Sequence, residues 1–166
     1  MLRLFRVKGK VNWIALIISI LIPLLVGFLS SYLVGSDAYN SFEELTKPGF
    51  APPAWVFAPA WIILYTLMGI ASYRVWMYRS NRSDVRSALI VYGVQLFFNF
   101  LWTIIFFGLG LRGVAYIEII ILLILIIITT IRFYKIDKIS GYLMIPYILW
   151  VSFASVLNLS IWLLNK

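Results

Sequence analysis

The chain has 166 residues, of which 63% are hydrophobic and only 12% charged, with a formal net charge of +8. A soluble domain of this size cannot bury so much apolar side chain, so composition alone assigns an integral membrane protein. With no cysteine and no histidine, the chain has no disulfide, no thiolate or imidazole catalysis and none of the usual zinc or haem ligands.

Five apolar runs, near 11–35, 55–77, 87–109, 113–134 and 140–164, are long enough to cross about 30 Å of hydrocarbon, which takes roughly 20 helical residues. They are too long for strands and apolar on most faces, so the expected fold is all-α: one domain, 1–166, built as a bundle of five transmembrane helices. The first run follows a basic start, as a signal peptide does. It is nevertheless too long for an h-region and lacks an A-x-A cleavage site, which makes it a membrane helix. Gly27, Ser31 and Gly35 repeat on it at four-residue spacing, a face that admits a close neighbour either within the bundle or in a homodimer.

Between the first two runs, 36–54 is the only connection with room for structure of its own. It carries Asp37, Glu43, Glu44 and Lys47, then enters "KPGFAPPAWVFAPAW", which holds four of the six prolines and two of the seven tryptophans. Pro48, Pro52 and Pro53 each remove a backbone donor and restrict the preceding residue, so no regular helix forms there. The segment therefore reads as a rigid lid, with Lys47, Pro48, Phe50, Pro52 and Pro53 as its parts. Trp55 reads as an interfacial anchor.

Charge sets the expected orientation. Arg3, Arg6, Lys8, Lys10, Arg79, Arg82, Arg86, Arg132, Lys135 and Lys138 gather at one end, with Arg74 near them, against Lys47, Arg112 and Lys166 at the other. The positive-inside rule places the N-terminus in the cytoplasm and the lid and C-terminus outside. In these short segments the basic residues act as topology signals, and no nucleic-acid partner is implied.

Beneath the lid, three runs carry mixed aromatic and polar stripes at helical period. The second has Trp61, Tyr65, Met68 and Ser72. The third has Gln95, Asn99, Trp102 and Phe106, and the fifth has Trp150, Ala154 and Asn158. At about 1.5 Å per residue, Trp61, Trp102, Glu118 and Asn158 lie roughly 8 to 11 Å from the outer ends, and Asn99, Trp150 and Ala154 nearer the midplane. Polar groups inside a membrane mark functional sites by default. Asn158 and Gln95 can equally serve as hydrogen-bonded glue between helices, whereas Trp61 with Asn99 suits a ligand cavity.

These residues carry a resemblance. The run Lys47-Pro48-x-Phe50-x-Pro52-Pro53-x-Trp55-Val56-Phe57-x-Pro59-x-Trp61-x-x-Leu64-Tyr65, the run Gln95-Leu96-x-x-Asn99-x-x-Trp102 and the run Pro146-Tyr147-x-x-Trp150-x-x-Phe153-Ala154-x-x-Leu157-Asn158 together resemble the tryptophan-rich sensory protein and translocator protein family, TspO/MBR, also called the peripheral benzodiazepine receptor family. The resemblance implies a five-helix bundle, usually dimeric, whose cavity opens toward the first loop and binds tetrapyrroles such as protoporphyrin. Some members also take sterols and isoquinoline or benzodiazepine ligands. By motif, the ligand-binding set would be Trp61, Tyr65, Asn99, Trp102, Phe106, Glu118, Trp150, Ala154 and Asn158. Trp61 and Trp150 would be the pocket tryptophans, and Ala154 the small residue that makes room. Glu118 stands where the family commonly has aspartate. Leu159 stands where the sterol pattern wants tyrosine, which favours porphyrin over cholesterol.

The implied role is a membrane receptor for porphyrin or another hydrophobic small molecule, acting in porphyrin regulation or transport in a bacterial cytoplasmic membrane. Its partners are that ligand, membrane lipid and a second copy of the chain, and no resident cofactor or metal is implied. Two alternatives stand beside it. One is light- and oxygen-dependent porphyrin breakdown with Trp61 and Trp150 as electron donors, since the sequence offers no conventional acid, base and nucleophile set. The other is proton-coupled transport through Glu118, against which stands the lack of an inverted repeat. The orientation is directly testable: a reporter fused after Lys166 should be active outside the cytoplasm and one inserted near Asn81 inside. The reverse pattern would overturn the charge argument.

Overall fold

A computed structural model describes residues 4–166, with the backbone alone for 37–39 and 41. Arg3 lies outside the described residues, as does the side chain of Asp37. Five helices follow in order: α1 (Trp13–Glu43), α2 (Phe57–Trp76), α3 (Asp84–Thr103), α4 (Arg112–Ile136) and α5 (Lys138–Leu164). A 3₁₀ turn, Ala54–Val56, leads into α2, and a π-helical turn, Ile104–Gly108, extends α3. There is no strand among the described residues. All five helices are long and apolar enough to cross a membrane, so the chain is an all-helical integral membrane protein.

Most ends fall within three residues of those expected from composition. The exception is the first. The helix does not stop at 35 but resumes after a break at Gly35, whose φ of 76° and ψ of 172° are non-helical. Glycine occupies that positive φ without a Cβ clash. The segment 36–43, expected as loop, is therefore helix, because nothing in it forbids one until the prolines begin at Pro48. Lys47 ends it: its Nζ donates to the carbonyls of Glu43 at 2.7 Å and Leu45 at 3.4 Å and lies 4.9 Å from the Phe42 ring centroid. A cation in this position satisfies free carbonyls and complements the negative helix end. Pro59 falls in the first turn of α2, where its missing N–H has no helical partner to lose.

In the bundle α4 packs most extensively on α5, α1 lies against α2, and α3 against α4. The core is apolar and tight, with Met68, Leu122, Ile126, Phe133 and Met144 fully buried or nearly so. The reverse faces carry Ile14, Ile17, Leu21, Leu25 and Ile124, all exposed, as lipid-facing positions must be. Close helix approach depends on glycine at two points. A Cβ on Gly69 would sit 2.5 Å from Ile20 Cα and 2.7 Å from Ser19 O, and a Cβ on Gly27 would meet the Tyr65 ring. Of the Gly27, Ser31 and Gly35 stripe, Gly27 is thus used inside the bundle and Gly35 in the helix break.

The basic end is closed by ionic and backbone contacts. Arg74 is 4% exposed and forms a bidentate pair with Asp137 at 2.7 and 2.9 Å, while its Nη1 donates to Leu4 O at 2.7 Å. Asp137 also caps α5, accepting from Ser140 N and Oγ. Burial alone would raise the Asp137 carboxyl, but the hydrogen bonds from Arg74 and Ser140 outweigh it and hold the group below the usual carboxylate range. Residues 7–10 form a tight turn, Val7 and Lys10 exchanging backbone hydrogen bonds of 2.9 and 3.0 Å. Lys8 and Gly9 take φ of 50° and 77° at its centre, the conformation of a two-residue hairpin turn. Tyr73 pins this segment, donating to Phe5 O and accepting from Asn12 N.

The contrast among glycines gives a test. Gly69→Ala should lower stability in detergent by about 1 to 3 kcal/mol, because backbone atoms of α1 cannot yield to the added methyl. A Cβ on Gly93 would have no neighbouring atom within 4 Å, so Gly93→Ala should be neutral or stabilise by about 0.5 kcal/mol. Equal melting shifts for the two would contradict the α1–α2 contact.

Candidate functional site

One polar string organises the site. In hydrocarbon a side-chain amide finds no water, so it must find protein partners. Asn99, 1% exposed on α3, finds two. Tyr65 on α2 donates its hydroxyl to Asn99 Oδ1 at 2.6 Å, and Asn99 Nδ2 donates to the Tyr147 hydroxyl on α5 at 3.0 Å. Three helices are thereby held by one amide. Gly27 on α1 leaves the space into which the Tyr65 ring fits.

The aromatic residues are arranged around this string. Trp61 stacks on Tyr65, with centroids 5.3 Å apart and planes 27° apart, and meets Tyr147 edge-on at 6.2 Å. Trp150, one turn beyond Tyr147, contacts Phe57 edge-on at 5.9 Å and Phe153 at 5.9 Å. Phe50 of the proline loop reaches Phe153 at 6.3 Å, so the expected lid touches the expected pocket. Trp61, Trp150, Phe57 and Phe153 are all half-buried, and Ala154 is buried beside them. The Trp150 Nε1 is buried with no hydrogen-bond partner among the described residues.

Trp102, Phe106 and Asn158 form a second group nearer the loop end of the bundle. Trp102 stacks on Phe106 at 5.1 Å and donates its Nε1 to Asn158 Oδ1 at 3.1 Å, while Asn158 Nδ2 donates to Arg112 O at 2.9 Å. Both amide atoms of Asn158 are thus used in joining α3, α4 and α5, the glue role for such residues. The π-helical turn places Phe106 and Phe107 at 4.9 Å from each other and both against Phe42 from the last turn of α1. Such turns recur at functional sites because they re-aim neighbouring side chains.

Glu118 is 7% exposed, with neither carboxylate oxygen hydrogen-bonded among the described residues. Gln95 is wholly buried, its Nε2 3.9 Å from Met68 Sδ. On the loop, Pro48 and Pro52 are half-buried and Pro53 exposed, and Trp55 is 75% exposed, as an interfacial anchor should be.

Four contributors carry no role assigned from sequence. Tyr147 continues the Trp150, Ala154 and Asn158 stripe by one more turn, so the same periodicity could have found it. Phe57 and Phe153 bracket Trp150, but aromatic residues are too common in membrane helices for spacing alone to single them out. Asn165, past the end of α5, forms paired hydrogen bonds with the loop backbone: Thr46 N donates to its Oδ1 at 3.0 Å and its Nδ2 donates to Thr46 O at 2.9 Å. This clasp over 119 residues of sequence ties the loop to the bundle and has no local sequence signal.

Residues 19–163 match the TspO/MBR family. The chain is 40% identical over 155 residues to a tryptophan-rich protein TspO of Archaeoglobus fulgidus, covering 93% of this chain and 99% of that one. It is 32% identical to a translocator protein of Sus scrofa, covering 93% and 92%. It is also 36% identical over 124 residues to a tryptophan-rich sensory protein of Cereibacter sphaeroides, covering 75% and 76%.

Proposed function

This chain belongs to the TspO/MBR family, and on that premise we propose that it is a membrane receptor for a flat, largely apolar aromatic molecule, a tetrapyrrole such as protoporphyrin IX. The binding surface is the half-buried set Trp61, Phe57, Trp150 and Phe153 under the clasped loop, with Asn99 holding it in shape from behind. The observation that carries this reading is the buried, unpartnered Nε1 of Trp150. A buried indole donor without an acceptor costs about 1 to 3 kcal/mol, so a site that retains one is suited to a ligand bearing acceptors. Extended aromatic rings stack on indole and phenyl faces, and a tetrapyrrole's carboxylates would supply acceptors.

In this reading Phe50 and the proline segment act as the cover, and the Asn165 clasp limits how far it opens. Trp102 and Asn158 support the site, since their polar atoms already serve each other. The basic end faces the cytoplasm of a bacterial inner membrane and the ligand enters from the outer side. A homodimer remains part of the proposal, on a face other than that of Gly27.

Titration of the purified protein with protoporphyrin IX in the dark, followed by absorbance and tryptophan fluorescence, tests the site. Trp61→Phe and Trp150→Phe should each weaken binding roughly fivefold, about 1 kcal/mol, through lost stacking area and, at Trp150, a lost donor. Trp55→Phe should leave affinity unchanged. Loss of affinity in Trp55→Phe with no change in the other two would place the ligand on the loop's outer surface and refute the proposal.

A further inference from the structure

At the basic end, remote from the aromatic site, lies a cavity of about 450 Å³ lined by Lys10, Asn12, Trp13, Ile14, Met77 and Arg79. Two cations from separate segments face it. Lys10 closes the N-terminal hairpin and is fixed by its backbone bonds to Val7, while Arg79 follows the end of α2 and is held 3.3 Å over the Trp76 ring. The hairpin is itself clipped to the bundle by Tyr73 and Arg74, so both cations stand on ordered backbone.

No acid among the described residues offsets them. The acidic residues described at this end are Asp84 and Asp137, and they are engaged by Arg82 and Arg74 respectively. The cavity therefore sits in a region of uncompensated positive charge, deepened by the first turn of α1, whose N-terminal dipole end has the same sign. Its surroundings select among anions. Trp13 is 53% exposed beside the cavity, and Ile14, Ile17, Ile18 and Leu21 continue from it along the bare face of α1. An anion with acyl chains can place its head between Lys10 and Arg79 and its tails on that face, whereas a soluble anion gains only the first contact.

We propose that this cavity is a binding site for the headgroup of an anionic phospholipid. Bound there, the lipid bridges the N-terminal hairpin, the start of α1 and the end of α2, so that the leaflet's composition bears on how firmly the basic end is closed. Basic pockets beside membrane helices recognise anionic headgroups through their clustered positive charge.

Native mass spectrometry of the full chain released from micelles, with phosphatidylglycerol or phosphatidylcholine added, provides the test. The wild type should retain one phosphatidylglycerol selectively. The double substitution Lys10→Gln with Arg79→Gln should lower that retention about tenfold to thirtyfold, from the contribution expected of two cations near an anionic headgroup. Lys135→Gln, which removes a cation at the same end but off the cavity, should change it less than twofold. Millimolar inorganic phosphate should not displace the lipid. Circular dichroism and a single elution peak establish that each variant is folded. Should either cavity cation prove necessary for folding, the charge-preserving pair Lys10→Arg with Arg79→Lys must retain the lipid. Equal loss in Lys135→Gln and the double variant would reduce the effect to a diffuse surface field, equal retention of phosphatidylcholine would remove headgroup selectivity, and displacement by phosphate would make the site one for a soluble anion. Any of these overturns the proposal.

Discussion

The half of the bundle nearer the proline loop depends on the amide of Asn99. Within a bilayer the alternative to a protein partner is none at all, and an amide has four hydrogen-bonding positions to satisfy. Two phenols from two other helices meet it at 2.6 and 3.0 Å, which fixes the mutual rotation of α2, α3 and α5. Interhelical hydrogen bonds of this kind contribute only about 0.6 to 2 kcal/mol each. Their effect is therefore specificity of arrangement more than gross stability: if one helix rotates, a buried polar group is stranded at a cost of about 1 to 3 kcal/mol. Trp61 stacks on one of these phenols and Trp150 follows the other by one turn, so their positions are inherited from the string.

The two ends of the bundle are closed by different chemistry. The end that carries the proline loop uses aromatic packing, prolines and one asparagine clasp, none of them charged. The basic end uses a buried bidentate ion pair, Arg74 with Asp137, together with the hairpin that Arg74 also binds. Removing one partner of such a pair strands a buried charge and costs about 3 to 5 kcal/mol. The fold thus places its rigid closure opposite the end proposed to admit ligand. Salt should weaken the interactions of the exposed cations at the basic end far more than this buried pair.

Much of this was legible in the residues, for identifiable reasons. Helix number and approximate ends follow from hydrocarbon thickness, and the stripe of Gln95, Asn99, Trp102 and Phe106 follows from helical period. Three of those four are buried and Trp102 half-buried, facing the bundle as the period requires. The family resemblance singled out Trp61 and Trp150; the structure sets the Trp61 ring edge-on to Tyr147 and the Trp150 ring against Phe57 and Phe153. What sequence could not give is long-range pairing. The partners of Asn99, the Thr46–Asn165 clasp and the Arg74–Asp137 pair each join positions far apart in the chain, and no periodicity relates them. The continuation of α1 past Gly35 was missed for a different reason: a single glycine signals a break, but not whether the helix resumes beyond it.

The most direct measurement of the central claim is a double-mutant cycle. Tyr65→Phe and Tyr147→Phe each remove one hydroxyl from Asn99 with little change of shape. If the amide couples the helices, their effects on unfolding free energy in mixed micelles should be non-additive by about 0.5 to 2 kcal/mol, and the coupling should vanish when Asn99 is replaced by leucine. Additive effects in the presence of Asn99, or coupling that survives its replacement, would contradict the account.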